Sequence, residues 1–387
     1  MSLEENNLNG KDAVGAAVRY QNPNGSKWFN EALGRKIYID PMPLKYLNSL
    51  NNYDQHRLCK GIEALASVAS PMDGIVKKIY SNFFKAKQST STIFNFIVKY
   101  TLTAEYIVIT TIELDSISLL SGDNQSLHNV KKLQHNTSFS SGSSLADIDE
   151  LSSAWGVIGP VTKIKTKHAA VNGMLNDLRK ASWLMGTHME AAYPSDTVEN
   201  YTLFHNPTES ARWDFYESVK DNLGVTTPLA KHLAAILLDV QLAGESVKWV
   251  VHSQGGIIFK QALSHHLKQY PNQTLSKNSV AFHAGGHNKK ETEKLLVKAG
   301  VKKETSDRDN PFDMVPNLAG RNALGPRALK RSFQFMGKVT GETSSPVESP
   351  HTLPFISLEA YHGFLTMSGE HKHAGIVRGY MNKLMKK

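Results

Sequence analysis

One short segment of the sequence has the residue types and the spacing for nucleophilic chemistry. Val247-Lys-Trp-Val-Val-His-Ser-Gln-Gly-Gly-Ile-Ile-Phe259 is an apolar run that passes through a serine and two glycines into a second apolar run. The first run has strand character and the second has helical spacing, so Ser253 falls at a strand-to-helix junction. A serine there sits on a tight turn with its Oγ at the carboxyl end of the strand. The helix N-terminus behind it offers free amides to a developing negative charge. Gly255, two residues on, lets the turn close against the helix. A serine hydroxyl is a weak nucleophile near neutral pH and needs a histidine base oriented by a carboxylate. With 16 histidines in the chain, residue type alone does not select the base.

The segment resembles the nucleophile elbow of α/β-hydrolases, usually written G-x-S-x-G. It departs from that pattern at Val251, which occupies the first glycine position and must find room beside the following helix. The resemblance implies an acid and then a histidine later in the chain. Arg308-Asp-Asn-Pro-Phe-Asp-Met-Val-Pro316 follows a strand candidate around Val301. Its Asp-x-Val-Pro run, begun by Asp313, looks like the acid loop of class 3 lipases. Asp313 is the expected acid and Asp309 the alternative, although either alone also fits an Asx-type turn before proline. His351 lies in the Pro-flanked loop Glu348-Ser-Pro-His-Thr-Leu-Pro354, past an expected last strand at Arg331–Met336. That is where the fold's histidine belongs. His362, beside Tyr361, is its rival, because class 3 lipases carry their histidine close to an aromatic residue. The same resemblance implies two backbone donors for an oxyanion. Gln254 supplies one, and Gly173 or Met174, after the Lys167–Val171 strand, the other; Asn172-Gly173 also fits an ordinary turn.

What the resemblance implies is carboxylic ester hydrolysis through an acyl-enzyme, on lipid or phospholipid esters if the likeness to class 3 lipases extends to substrate. No metal or organic cofactor is implied. His265-His266 and His371-Lys-His373 have no carboxylates or cysteines at ligand spacing around them. Trp213, Phe215 and Tyr216, in the stretch Asn206–Gly224, line an acyl pocket, form a lid, or belong to an amphipathic helix packed on the sheet. Bacterial lipase effectors exported without a signal peptide carry variant elbows ending in Ser-Gln-Gly, a looser likeness. The competing reading is a binding or structural protein on the same scaffold with an inactive site, for which Val251 and the N-terminal region leave room.

These residues require strands that end where the chemistry is. Lys167–Val171, Tyr201–His205, Val247–Val251 and Ser279–His283 read as strands, while Pro228–Ala243, Gly256–Leu267 and Glu291–Ala299 have helical periodicity. This alternation predicts an α/β fold, a mostly parallel sheet with helices on both faces. Before it, a helix over Leu44–Val68 and β-branched runs within Phe94–Leu120 predict an α+β extension. The Ser- and Gly-rich stretch 134–153 reads as a linker, giving an N-terminal region 1–133 of unassigned role and a catalytic domain 154–387.

The length, 387 residues, suits two domains, and 40% hydrophobic with 20% charged residues excludes a disordered chain. The most apolar stretch, Thr92–Leu120, is interrupted by Lys99, Glu105, Glu113 and Asp115, too often for a span of hydrocarbon. Cys59, the only cysteine, forbids an intramolecular disulfide and cysteine-rich zinc sites. The polar N-terminus lacks the features of a signal peptide. The expectation is a soluble protein made in the cytoplasm, with any export independent of a signal peptide. The net charge of +9 reads as solubility or, in sharper form, attraction to an anionic membrane surface. Nucleic acid is not expected. Only the cluster Lys77, Lys78, Lys85 and Lys87 interleaves aromatics, and there Val76, Ile79, Tyr80 and Phe83 fall at helical spacing.

Overall fold

The structure is a computed structural model and describes residues 13–14, 16–19, 35–67, 88–103, 105–115, 127–134, 148–174, 176–207, 226–322, 325–340, 349–353 and 357–386. The chain divides into two units, Met1–Asn124 and Gln125–Lys387.

In the first unit β1 (Ala13–Val14), β2 (Ala17–Arg19), β3 (Lys36–Ile39), β4 (Gln88–Ile93), β5 (Phe96–Leu102) and β6 (Tyr106–Leu114) form a sheet in the order β1-β2-β3-β6-β5-β4. β3 and β6 pair in parallel and the other neighbours antiparallel. The expected single helix at Leu44–Val68 is two, α1 (Pro41–Ser49) and α2 (Asn52–Ala66). Asn51 divides them, because its side-chain oxygen accepts from the amides of Tyr53 and Asp54 and caps the second helix. Leu47, Leu58, Cys59 and Ile62 of the helices share a core with Ile37, Phe96, Val98 and Ile107. The lysine and aromatic cluster at 76–87 lies outside the described residues.

The second unit contains the sheet that carries Ser253. Its strands are β7 (Leu127–Lys132), β8 (Trp155–Val161), β9 (His168–Val171), β10 (Asn200–Phe204), β11 (Val247–His252), β12 (Asn278–His283) and β13 (Lys302–Lys303), in the order β13-β12-β11-β9-β10-β7-β8. From β13 to β10 the pairs are parallel, and β7 and β8 add antiparallel partners. Helices α3 (Ile148–Ser153), α4 (Leu178–Ala192), α5 (Pro228–Ala243), α6 (Gly255–Gln269) and α7 (Lys289–Ala299) connect or cover them. Successive strand residues point to opposite faces. Trp249, Val251, Val280 and Phe282 meet α5, α6 and α7 in one core, and Ala170, Val250 and Ala281 meet α3 and α4 in another. Strands buried on both faces are expected to be largely apolar, as residues 169–171, 249–251 and 280–282 are, although Thr202 is buried within β10 and Lys248 lies within β11.

Three expectations are corrected. Leu127–Lys132, assigned above to the N-terminal region, is a strand of the second sheet, and Ile148–Ser153 in the expected linker is a helix. Leu127 and Val130 enter opposite cores, with the pairing to β8 irregular between Asn129 and Val130. The second unit therefore starts ahead of the expected boundary. Arg331–Met336 is no strand: α8 (Pro326–Gln334) runs through it and α9 (Met336–Thr340) follows. Proline at the first helical turn and the good helix formers Ala328, Leu329, Lys330 and Arg331 favour that outcome. With α10 (Leu358–Met367) and α11 (His371–Met385), these helices bury Phe335, Tyr361, Leu365 and Val377 around Phe312. No helix among the described residues is long and apolar enough to cross a membrane.

α4 approaches Trp155 at a glycine. A Cβ on Gly186 would lie 2.4 Å from Trp155 Cε2, and the buried indole packs edge-on against Tyr201 with centroids 5.4 Å apart. Gly186→Ala is expected to destabilise the protein by about 1–3 kcal/mol, read as a lower urea midpoint. An unchanged midpoint would show that the indole yields freely.

Candidate active site

β11 ends at His252 and α6 begins at Gly255, so Ser253 and Gln254 alone make the turn. Ser253 has φ 57°, in the left-handed region, where an L-residue bears about 1–2 kcal/mol of strain. Backbone bonds hold it there. Its N–H donates to His283 O at 3.3 Å, and its carbonyl accepts from the amides of Gly256 at 3.0 Å and Gly286 at 2.9 Å. A Cβ on Gly255 would lie 2.7 Å from Val171 O and 3.0 Å from Asn172 O, so the position tolerates only glycine. Val251, where the hydrolase pattern has its first glycine, is fully buried in the core beneath α5 and α6. Its branched side chain is accommodated.

Three elements distant in sequence converge on this turn. His351 Nε2 is 2.7 Å from Ser253 Oγ, and His351 Nδ1 is 2.8 Å from Asp313 Oδ2. Asp313 is completely buried, and its other oxygen accepts from the Val315 amide at 2.9 Å. Burial pushes its carboxyl pKa up, against the pull of His351 and that amide. The loop presenting it is folded by Asn310, whose side chain accepts from the Phe312 amide and whose carbonyl accepts from the Asp313 amide. Asp309, the alternative acid, is engaged by Lys289 instead. His362, the alternative histidine, lies on α10 with its Nδ1 3.3 Å from Arg378. His351 does not follow a strand as expected. It sits in the irregular segment 349–353, where its amide donates to Ser349 Oγ at 3.1 Å and Leu353 enters the core beneath α4.

The loop after β9 lies directly against the serine. A Cβ on Gly173 would be 2.5 Å from Ser253 Cβ and 2.9 Å from its Oγ. Asn172 braces this loop: its amide donates to Gly173 O and Asn206 O, and its oxygen accepts from the Asn206 amide. Asn206 in turn donates to Gln254 Oε1 at 2.7 Å. The backbone N–H groups of Gly173, Met174 and Gln254 make no hydrogen bond among the described residues, which leaves them free for a substrate oxygen. The bracing role of Asn206 was missed from sequence; its only signal was a polar residue at the end of a buried strand.

A row of buried imidazoles behind the triad was also missed. His351 lies against His252 with centroids 4.7 Å apart, His252 against His188 at 4.6 Å, and His188 beside His283 at 5.0 Å with the rings tilted by 55°. The aromatic stretch at Trp213, Phe215 and Tyr216 lies outside the described residues. His266 bonds Gln273 O and His373 bonds Glu370. Among the described residues no group of three or more His, Cys, Asp or Glu side chains is arranged to hold a metal. Compared with protein-family models, curated proteins and solved structures, the chain matches none.

Two outcomes follow from this geometry. Gly173→Ala places a methyl group on the serine side chain and is expected to slow any reaction of Ser253 by about a hundredfold or more, measured with a serine-directed fluorophosphonate. An unchanged rate would mean that the loop is not against the nucleophile. Burial also lowers the pKa of His128 and His287 from 6.5 to about 4 and that of His283 to about 3. Between those values and 6.5 the unfolded chain binds more protons than the folded one, so stability is present above the unfolded pKa and is lost as pH falls. Melting temperatures are expected to drop once pH falls below about 6.5, ahead of the carboxylate range. A flat profile down to pH ~5 would contradict it.

Proposed function

We propose that the chain is a serine hydrolase that cleaves carboxylic esters on an α/β-hydrolase scaffold. The observation that carries this reading is the run of contacts from Ser253 Oγ through the His351 imidazole to buried Asp313, with the serine in a left-handed turn. The parallel strands that deliver Ser253 and the Gly173 loop to the same end of the sheet support the scaffold assignment.

The steps are those of acyl transfer. Ser253 Oγ attacks the ester carbonyl while His351 Nε2 takes its proton. Asp313 keeps the other ring nitrogen protonated and faces the imidazolium that forms. The tetrahedral oxygen receives the Gln254 N–H and one from Gly173 or Met174. His351 returns the proton to the leaving alcohol, then activates water to free Ser253. No cofactor takes part in these steps.

Lipid or phospholipid esters are the proposed substrates, reached at an anionic membrane surface. Arg327, Lys330 and exposed Phe333 on α8, together with Lys383, Lys386 and the exposed Leu384 and Met385 at the end of α11, support such peripheral contact. The test is fluorophosphonate labelling beside a panel of p-nitrophenyl esters of increasing chain length. Wild-type protein is expected to label and to favour long chains, and Ser253→Ala to do neither. A folded wild type that labels no more than Ser253→Ala and hydrolyses no ester would leave a binding scaffold and end this reading.

A further inference from the structure

The buried imidazoles behind the triad lie where catalysis places a positive charge. His351 belongs to a segment without regular secondary structure, so something outside that segment must set the plane of its ring. His252, the last residue of β11, touches it twice. The two rings stack with an interplanar angle of 35°, and His252 Nε2 donates to the backbone carbonyl of His351 at 3.0 Å. One layer deeper, the His188 ring of α4 stacks on His252 at 30°, and the Thr352 carbonyl faces His188 and favours a proton on it. His188 Nδ1 is 2.8 Å from Nδ1 of His283, the last residue of β12.

The hydrogen bonds assign protons. Donation to His351 O requires a proton on His252 Nε2. At the His188–His283 contact one Nδ1 must donate and the other accept. Full burial holds all three rings neutral, each flanked by further imidazoles, with Lys180 facing His252 and Arg308 facing His283. Among the described residues, the charged groups set against these rings are the cations Lys180 and Arg308 and the anion Asp313, which faces His351.

We propose that His252 and His188 are positioning residues for His351: packed in series behind it, they fix its imidazole plane through the backbone of residues 351 and 352. Held neutral by burial, they do not compete for the proton that Ser253 releases. This inference rests on the reading of Ser253, His351 and Asp313 as a triad. It adds residues that touch neither the ester nor the serine hydroxyl.

The experiment uses the full chain. In wild-type protein carrying ¹⁵N-histidine, His252 is expected as the neutral Nε2–H tautomer from pH ~8 down to ~5; a charged His252 at neutral pH would overturn the proposal without any variant. His252→Phe keeps a ring and removes the donor, whereas His252→Gln keeps a donor and removes the ring. Each is expected to reduce the rate constant for fluorophosphonate labelling by about ten- to a hundredfold. For ester turnover the loss should fall on kcat rather than KM, with faster exchange of the His351 Nδ1 proton held against Asp313. Folded variants that label within about twofold of wild type, with that proton unaltered, would also overturn it. A wild type that fails to label rejects the hydrolase reading, and the tautomer and exchange measurements still decide whether His252 holds His351.

Discussion

A parallel sheet covered on both faces leaves little room along its strands for polar side chains. Trp249, Val250 and Val251 fill one core or the other, as do Val280, Ala281 and Phe282. Most polar residues stand at the strand ends: His168 and Asn278 open β9 and β12, while at the carboxyl ends His252 closes β11, His283 closes β12, Asn172 follows β9 and His205 with Asn206 follows β10. Because β9, β10, β11 and β12 are parallel and adjacent, these ends lie side by side. The candidate site thus follows from the burial constraint, since the cores leave polar groups mainly at the strand ends and Ser253 stands at the carboxyl ends.

At that edge the polar groups satisfy one another before any substrate arrives. Asn172 and Asn206 bond reciprocally, Asn206 holds Gln254, and His252 holds the carbonyl of His351. Such a network costs little when complete and much when broken. For the proposed ester hydrolysis it would also mean that the donors are oriented before charge develops. The acid comes from elsewhere. Phe312, next to Asp313, is anchored in the separate aromatic core of Phe335, Tyr361 and Leu365, so the carboxylate is fixed from the C-terminal helices while the serine is fixed from the sheet.

Much of this was legible in the sequence, for identifiable reasons. β9 to β12 are mostly apolar because both their faces are buried, and α5 to α7 show helical periodicity because one side meets that sheet. Ser253 stood out because strand, serine, glycine and helix adjoin. Asp313 and His351 depended on likeness of pattern, and the structure brings both to Ser253 while leaving Asp309 with Lys289 and His362 with Arg378. The strand Leu127–Lys132 was illegible because two apolar residues and an irregular pairing carry no clean alternation. Phe333, Phe335 and Met336 gave Arg331–Met336 the look of a strand, whereas Pro326 and its helix-forming neighbours decide the local structure. The imidazole row was invisible because His188, His252, His283 and His351 lie on four separate elements, and no spacing along the chain records their contact.

The left-handed turn has a meaning beyond geometry. Glycine relieves a positive φ at no steric cost, and a chain selected only for stability would tend to lose a strained residue in favour of a relaxed one. The loop already uses glycine freely, at Gly255, Gly256 and Gly286. Among the described residues Ser253 shares a positive φ with Phe94, Ala284 and Arg321, so the strain is not its alone. What sets Ser253 apart is that its left-handed turn holds a hydroxyl against His351 Nε2 at the head of α6, so strain and contact coincide at one residue.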